Sequence, residues 1–551
     1  MKKLLIPVAF MALVLSGCNL VGPVTPTSAP TVTTNPTTSV DPSSGDTTSN
    51  PTSTSGQTST SGQSSSSSQS STTSSVTPTV TSVTLNKSTA TLSAGESLTL
   101  TATVNGTHSP SQSVTWSTSN SSVATVSNGK VEVKSTATAG QTATITATSV
   151  ADTSKKASCT ITVKASSTQA AYTVMLYICG STLEYDERVV GAASADIAEI
   201  LGVANQPSNV NILIETGGAK GWENSSINKN YIQRFYVKNN KLNFVENAGS
   251  YTSTTNKANM GESATLESFL TWGINNYPAD KYALVLWNHG GAVSGVCSDE
   301  YNLNKYELGD TLLTSEVATA LKNTFTNTSA SKLEWIGYDA CIMNYLDNAS
   351  VMADYANYLV GSQELENGEG WDYTGWVPTL YSSPTGTTTT LLNKICKSFV
   401  DQYGTKQNDQ CLSVLDLSKM EAFTTEFNKY TNNFTTSNHF DSITSAFSSS
   451  LQFGEGVFGL ADFSSFIAQM EKKFSSISTT ALKAAFDDIV EYKYCGNAYS
   501  SSNKPCGSNV FVAYSDDYYT GLQVLKNEYG ANDTKFASWR NLNIKYGLWY
   551  E

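Results

Sequence analysis

A histidine and a cysteine each follow a short apolar run closely, and together these two residue types can form a nucleophile and its base. His289 follows Tyr-Ala-Leu-Val-Leu-Trp-Asn, and Cys341 follows Leu-Glu-Trp-Ile-Gly-Tyr-Asp-Ala. A nearby imidazole raises the thiolate fraction of a thiol and later protonates the leaving amine. Gly290 has no side chain to block a substrate, so its N–H could bind an oxyanion together with the N–H of Cys341. The pattern predicts covalent thiol catalysis.

Other residues of these types lack this setting. His439 lies in a polar Asn/Thr/Ser stretch with no comparable apolar run before it. Cys179 follows the apolar run Tyr172–Ile178, but no Asp-Ala precedes it. We therefore interpret it as a residue that lines the same edge of the sheet without acting as the nucleophile. No Gly-x-Ser-x-Gly motif appears with a matching triad. His289 and His439 alone do not make a Cys/His metal cluster, so we predict no metal site and no required cofactor.

Composition limits the partners. The net charge is −13, from 33 Lys and Arg against 46 Asp and Glu, so no basic field attracts phosphates and we expect no nucleic-acid partner. The 9 cysteines are odd in number and form no Cys-x-x-Cys pair, which suits neither a zinc ribbon nor a dense disulfide framework. Cys495 and Cys506 could close a loop if oxidised, and the sequence leaves that open.

The N-terminus has the pattern of an export signal. Lys2 and Lys3 precede an apolar run that ends in Leu15-Ser16-Gly17-Cys18. Residues 1–18 resemble a bacterial lipoprotein signal peptide, which implies cleavage before Cys18 and a diacylglycerol on its sulfur. The alternative is an ordinary secretory signal. We predict a lipid-anchored protein at the extracellular face of a bacterial cell membrane, with residues 19–80 as a disordered Ser/Thr/Pro tether.

Residues 81–165 alternate polar and apolar positions in short runs separated by turn residues. This period of two predicts a small all-β sandwich with Trp116 in its core. The segment from Ser82 onward resembles a bacterial immunoglobulin-like domain of the second group. The resemblance implies a spacer or adhesion module, with contacts to cell surfaces as an option.

Residues 170–551 alternate short apolar runs with helical patterns. Strands that alternate with helices predict a three-layer α/β domain with a mostly parallel sheet. Ligands bind beyond the carboxyl ends of such strands, which is where His289 and Cys341 lie in the sequence.

At these residues the chain resembles the clostripain family, which belongs with the caspase-like peptidases. The matching segments, in the family's order, are YTVMLYICGSTLE, NVNILIETGGAKGW, YALVLWNHGG, WIGYDACIM and SQELENGEGWDY. The resemblance covers roughly residues 171–380. It implies a cysteine endopeptidase in which His289 is the general base and acid, Cys341 the nucleophile and Gly290 the oxyanion partner.

The resemblance also implies a substrate preference. Clostripain relatives cleave proteins and peptides after Arg or Lys, and a carboxylate must receive that side chain. By resemblance Asp339 contributes. A second acid is expected among Glu364, Glu366, Glu369 and Asp372, and we choose Asp372.

Some family members mature by cutting themselves between the histidine and the cysteine. The polar segment 298–307 contains one basic residue, Lys305, as the candidate cleavage residue. The same acidic segment leaves Ca²⁺ binding open, since activity in some relatives depends on it. The rival function is a surface adhesin whose caspase-like domain binds without cutting.

Overall fold

The chain divides near residue 167 into an all-β unit and an α/β unit. The computed structural model describes residues 77–92, 94–134, 136–137, 140–163, 169–186, 191–255, 257–303, 309–404, 408–434, 436–454, 458–500, 504–513 and 535–546. The predicted lipidation residue Cys18 and cleavage residue Lys305 lie outside these ranges. Within them, no helix combines the length and apolar character needed to cross a membrane.

The all-β unit contains short strands arranged in small sheets. Its strands are β1 Thr79–Leu85, β2 Thr89–Leu92, β3 Ser97–Thr99, β4 Ala102–Thr107, β5 Val114–Thr118, β6 Ala124–Ser127, β7 Lys130–Val133, β8 Thr142–Ser149 and β9 Lys156–Val163. They pair in the orders β2-β9-β8-β5, β3-β7-β6 and β1-β4. Val123, Ile145 and Ile161 are fully buried in the core. Trp116 is only partly buried and packs against this core rather than inside it.

A nine-stranded sheet organises the α/β unit, with strand order β13-β12-β11-β10-β14-β17-β18-β19-β22. The strands are β10 Ala170–Cys179, β11 Val210–Gly217, β12 Tyr231–Lys238, β13 Lys241–Ser250, β14 Ala279–Trp287, β15 Val296–Leu303, β16 Gly309–Leu312, β17 Leu333–Asp339, β18 Ala356–Gly361, β19 Cys411–Asp416, β20 Gln452–Phe453, β21 Leu460–Asp462, β22 Val490–Cys495 and β23 Asn509–Phe511. β15 pairs with β16, and β20, β21 and β23 form a third sheet.

The nine-stranded sheet is mixed. The five central strands, β11, β10, β14, β17 and β18, pair in parallel. The outer pairings on both sides are antiparallel. A mostly parallel sheet is therefore not confirmed for the sheet as a whole. One reason is local: Asn239 and Asn240, both with positive φ, make the two-residue turn of an antiparallel hairpin between β12 and β13.

Helices cover the sheet and complete the core. They span Ser181–Glu184, Ala192–Gly202, Ser263–Asn276, Thr314–Asn327, Leu346–Met352, Tyr373–Ser382, Thr388–Gln402, Met420–Thr431, Ser437–Ser448, Phe463–Lys473, Thr480–Ile489 and Ala537–Tyr546, with short 3-10 turns at Ala292–Ser294 and Leu417–Lys419. Leu284 and Val285 of β14 belong to different buried clusters, so the sheet has an apolar core on each face. Phe423 and Trp539 join the cluster that contains Leu284, which places the C-terminal region in the same unit.

Candidate active site

The register of two neighbouring strands brings the predicted catalytic residues to one edge. β14 and β17 are parallel, and Trp287 lies opposite Asp339. The backbone N–H of Asn288 donates to the carbonyl of Asp339 at 3.3 Å, so the pairing continues just past the strand ends. Two residues beyond this pair come His289 on one strand and Cys341 on the other. The sheet therefore presents both at the same carboxyl edge.

His289 is buried, and its Nε2 lies 2.9 Å from the hydroxyl of Thr182 on the short helix Ser181–Glu184. Burial lowers the pKa of His289 to about 4, although the negative charge of Glu300 opposes this. The imidazole is therefore uncharged at neutral pH and able to accept a proton. No pattern in the sequence pointed to Thr182, because its contact with His289 joins segments 107 residues apart.

Asn288 and Gly290 fix the loop that carries the histidine. The Asn288 side chain donates to the carbonyl of Cys179 at 2.6 Å and accepts from the N–H of Ser298 at 2.9 Å. A Cβ on Gly290 would lie 2.0 Å from the carbonyl oxygen of Cys341. Only glycine allows this close approach of the two backbones. Gly290 thus has a packing reason to be glycine besides the predicted oxyanion role.

Cys341 lies in a strained turn under a covering segment. The next residue, Ile342, has φ of 51°, a left-handed value that β-branched residues rarely adopt. Ile342 donates to the carbonyl of Glu364 at 3.0 Å, which helps to hold the turn. The Cys341 sulfur accepts from the backbone N–H of Glu366 at 3.2 Å, and the residue is only 4% exposed. We call residues 362–370 the covering segment.

Carboxylates lie beside the sulfur. A small cavity of about 20 Å³ is lined by Trp287, Asp339, Cys341 and Glu366, among others. Asp196 is buried next to this group and accepts from the indole N–H of Trp287 at 2.6 Å. The cavity holds about one water molecule. Its wall is therefore acidic, and its volume in this state is too small for a peptide side chain.

The two acids of the cavity differ in their partners. Asp339 accepts from the Trp371 N–H at 3.1 Å and from the Tyr373 hydroxyl at 2.8 Å. Glu366 is 4% exposed, and its Oε1 has no hydrogen-bond partner within the described part of the chain. Burial raises the pKa of both carboxyl groups, and the charge of Asp339 adds to the rise at Glu366. Such a pair favours a cationic group between its members.

The second acid predicted from the sequence has a different position. The Asp372 side chain caps the helix Tyr373–Ser382 by accepting from the Gly375 N–H at 2.8 Å and from the Thr374 hydroxyl at 2.6 Å. Asp372 is not among the residues that line the cavity, whereas Glu366 is. Glu366 was within the predicted acidic segment, but the sequence could not show which of its side chains faces Cys341.

The positions of the potential metal-binding side chains bear on the question of a metal site. Among the residues that the structure describes, no group of three or more His, Cys, Asp or Glu could hold a metal ion. The segment 298–307, where Ca²⁺ was left open, is described only as far as Leu303, where β15 ends, so that prediction stays untested.

Comparison with protein families identifies the larger unit. The model of the clostripain family matches residues 177–546, more than half of the chain. The chain belongs to the clostripain family. The prediction of a cysteine peptidase of this type is thus confirmed at the level of the family. Residues 79–161 match the bacterial Ig-like domain (group 2), which confirms the second domain type.

Individual relatives of the clostripain family are distant. Clostripain of Hathewaya histolytica is 26% identical over 247 residues, which cover 40% of this chain and 44% of that protein. The match thus spans less than half the length of this curated relative.

Solved structures similar to this chain include an inactive zymogen C11 protease from Parabacteroides distasonis, 20% identical, with a TM-score of 0.48 over 66% of this chain and 98% of that one. Another is a secreted C11 cysteine protease from Bacteroides thetaiotaomicron, 16% identical, with a TM-score of 0.49 over 67% and 99%.

Proposed function

We propose that the chain is a cysteine endopeptidase that hydrolyses peptide bonds through a dyad of His289 and Cys341. The observation that carries this proposal is the pairing of Trp287 with Asp339, since it sets both residues at one edge of the sheet. A cavity that reaches Cys341 lies at the same edge. Membership of the clostripain family supports the same chemistry.

The proposed mechanism contains two proton transfers. In the tautomer whose Nε2–H donates to the Thr182 hydroxyl, Nδ1 of His289 is unprotonated and takes the proton of the Cys341 thiol. The thiolate attacks the peptide carbonyl, and the N–H groups of Gly290 and Cys341 bind the oxyanion. The imidazolium then protonates the leaving amine, and water hydrolyses the thioester with His289 again as base.

We propose further that the enzyme prefers substrates with Arg or Lys before the cleaved bond, received by Asp339 and Glu366. Glu366 replaces Asp372 as the second acid, because Glu366 lines the cavity and its Oε1 has no hydrogen-bond partner in the described part of the chain, while Asp372 caps a helix. The cavity of about 20 Å³ is too small for an Arg or Lys side chain, so the covering segment moves when the substrate binds. We also propose cleavage after Lys305, which a new N-terminus at Tyr306 would support. A need for Ca²⁺ is a separate proposal, which loss of activity on chelation would support.

A direct assay tests the function. The purified chain is incubated with fluorogenic peptides that end in Arg, Lys or an uncharged residue, with and without a thiol-alkylating reagent. We expect turnover of the basic peptides, blocked by alkylation of Cys341. Peptide binding without turnover would favour the rival adhesin function.

We expect Thr182→Val to lower kcat about tenfold with little change in KM. The substitution removes the hydroxyl that orients His289 and leaves a side chain of similar shape, and one such hydrogen bond contributes about 1–1.5 kcal/mol. The measurement is the pH profile of kcat/KM, whose acidic limb should shift, and Thr182→Ser should restore it. A rise in KM alone would contradict the positioning role.

The predicted lipid anchor at Cys18 is proposed from the sequence. A Cys18→Ser protein expressed in a bacterial host should pass from the detergent phase to the aqueous phase on phase partition, because the diacylglycerol is lost. Mass spectrometry of the wild-type N-terminus is the direct check. If the variant stays in the detergent phase, the lipoprotein interpretation is wrong.

A further inference from the structure

Two cysteines that are far apart in sequence lie directly opposite each other in the nine-stranded sheet. Cys411 begins β19 and Cys495 ends β22, and the two are register partners in this antiparallel pair. Cys411 is buried and Cys495 is half-buried, and both carry free thiols here. Residues directly opposite each other in a sheet project to the same face, so the two side chains are neighbours.

The backbone hydrogen bonds next to this pair show whether Cys411 and Cys495 form a hydrogen-bonded or a non-hydrogen-bonded pair. The Gly496 N–H donates to the Gln410 carbonyl at 2.8 Å, so the adjacent residues form the hydrogen-bonded pair. Hydrogen-bonded and non-hydrogen-bonded pairs alternate along an antiparallel ladder. Cys411 and Cys495 therefore form a non-hydrogen-bonded pair, in which Cα atoms are typically about 4.5 Å apart. Disulfides typically need Cα separations of about 4.4–6.8 Å.

We propose that Cys411 and Cys495 are a disulfide site that cross-links β19 and β22. The reaction takes a disulfide donor, such as a low-molecular-weight disulfide or an oxidised thiol oxidoreductase. The thiolate of the more exposed Cys495 attacks the donor and releases one donor thiol. Cys411 then attacks the sulfur of Cys495 and releases the second donor thiol, so two protein thiols are oxidised and one donor disulfide is reduced.

Cys506, which is close to Cys495 in sequence, forms hydrogen bonds with other residues. The Cys506 thiol donates to the Ser508 carbonyl at 3.3 Å and accepts from the Ser464 N–H at 3.5 Å. Cys506 thus sits by the small sheet of β20, β21 and β23. The sequence left a Cys495–Cys506 link open, and the fold favours Cys411 as the partner of Cys495.

The cross-link would act on the covering segment over Cys341. The side chain of Gln410, the residue before Cys411, accepts from the Asn367 N–H at 3.0 Å. The Cys411 sulfur lies 3.9 Å from the Ser362 hydroxyl at the start of the segment. β22 is the edge strand of the sheet, so without a cross-link its fraying would loosen these contacts. The disulfide should therefore slow hydrogen exchange in residues 362–370.

The test uses the full chain with Cys341→Ala, which prevents self-digestion. The folded protein is incubated with oxidised and reduced glutathione, quenched with acid, alkylated, digested with trypsin and examined by mass spectrometry. Pro505 blocks cleavage after Lys504, so Cys495 and Cys506 remain on one tryptic peptide. A second sample with Cys506→Ala makes the assignment unambiguous. We expect the Cys411 and Cys495 peptides to be joined in both samples.

Thermal unfolding and hydrogen exchange give independent readouts. Oxidation should raise the unfolding midpoint by roughly 5 °C and protect residues 362–370, since the cross-link closes a long loop. A Cys495→Ser protein should show neither effect. A Cys495–Cys506 link, or alkylation of both Cys411 and Cys495 after oxidation, would overturn the proposal. Neither result depends on whether the chain is a peptidase.

Discussion

The Cys341→Ala protein is expected to lose peptidase activity, with kcat/KM reduced by about 10⁴ to 10⁶. In the proposed mechanism the Cys341 sulfur forms the bond to the substrate, so its removal leaves only binding and the oxyanion donors. His289→Ala should cause a loss of similar size, because the thiol then has no base. The double substitution should be no worse than either single one, since both residues act in one covalent step. The measurement is kcat/KM on a fluorogenic basic peptide.

A matched control separates catalysis from folding. Cys396 is a buried cysteine in the helix Thr388–Gln402. Cys396→Ala should keep near wild-type activity and lose some stability through the cavity it creates. Labelling by a peptide-based thiol reagent should go to Cys341 ahead of Cys179 and Cys297. Turnover that persists in the Cys341→Ala protein would remove the dyad mechanism.

Asp339→Asn and Glu366→Gln are expected to reduce cleavage after Arg or Lys by tens- to thousands-fold, with much smaller losses on uncharged peptides. Leaving a cationic side chain without its carboxylate in a buried pocket costs about 2–5 kcal/mol, and about 1.4 kcal/mol corresponds to a factor of ten. The measurement is the ratio of kcat/KM for basic and uncharged peptides. Asp372→Asn is the matched control: because Asn caps helices about as well as Asp, it should change stability little and leave the ratio unchanged.

The pH dependence gives the same test a second form. Burial raises the pKa of Asp339 to about 7, so its charge is lost as the pH falls through neutrality. The KM for basic peptides should therefore rise below about pH 7, while the KM for uncharged peptides stays constant. The same pKa shift affects the free energy of unfolding. The folded state binds this proton more tightly than the unfolded state, so the contribution of Asp339 lowers the free energy of unfolding as the pH rises from about 4 to 7. Equal losses on both peptide classes would show that these acids support the fold or the nucleophile instead.

The amino-acid sequence alone was enough to predict His289 and Cys341 as the candidate pair, because local pattern carries that information. Apolar runs of strand length ended just before His289 and Cys341, and the carboxyl ends of adjacent parallel strands meet at one edge. The period of two before residue 165 likewise predicted the strands of the all-β unit.

The three-dimensional fold was needed to establish the contacts between segments that are distant in the chain. It placed Glu366 at the Cys341 sulfur and used Asp372 as a helix cap, a choice the acidic segment left open. It set Cys495 opposite Cys411, and it paired the outer strands antiparallel. The strand pairings and the position of Glu366 depend on how distant segments meet, which is fixed by packing over the whole unit, whereas the Asp372 cap is a contact within one helical turn.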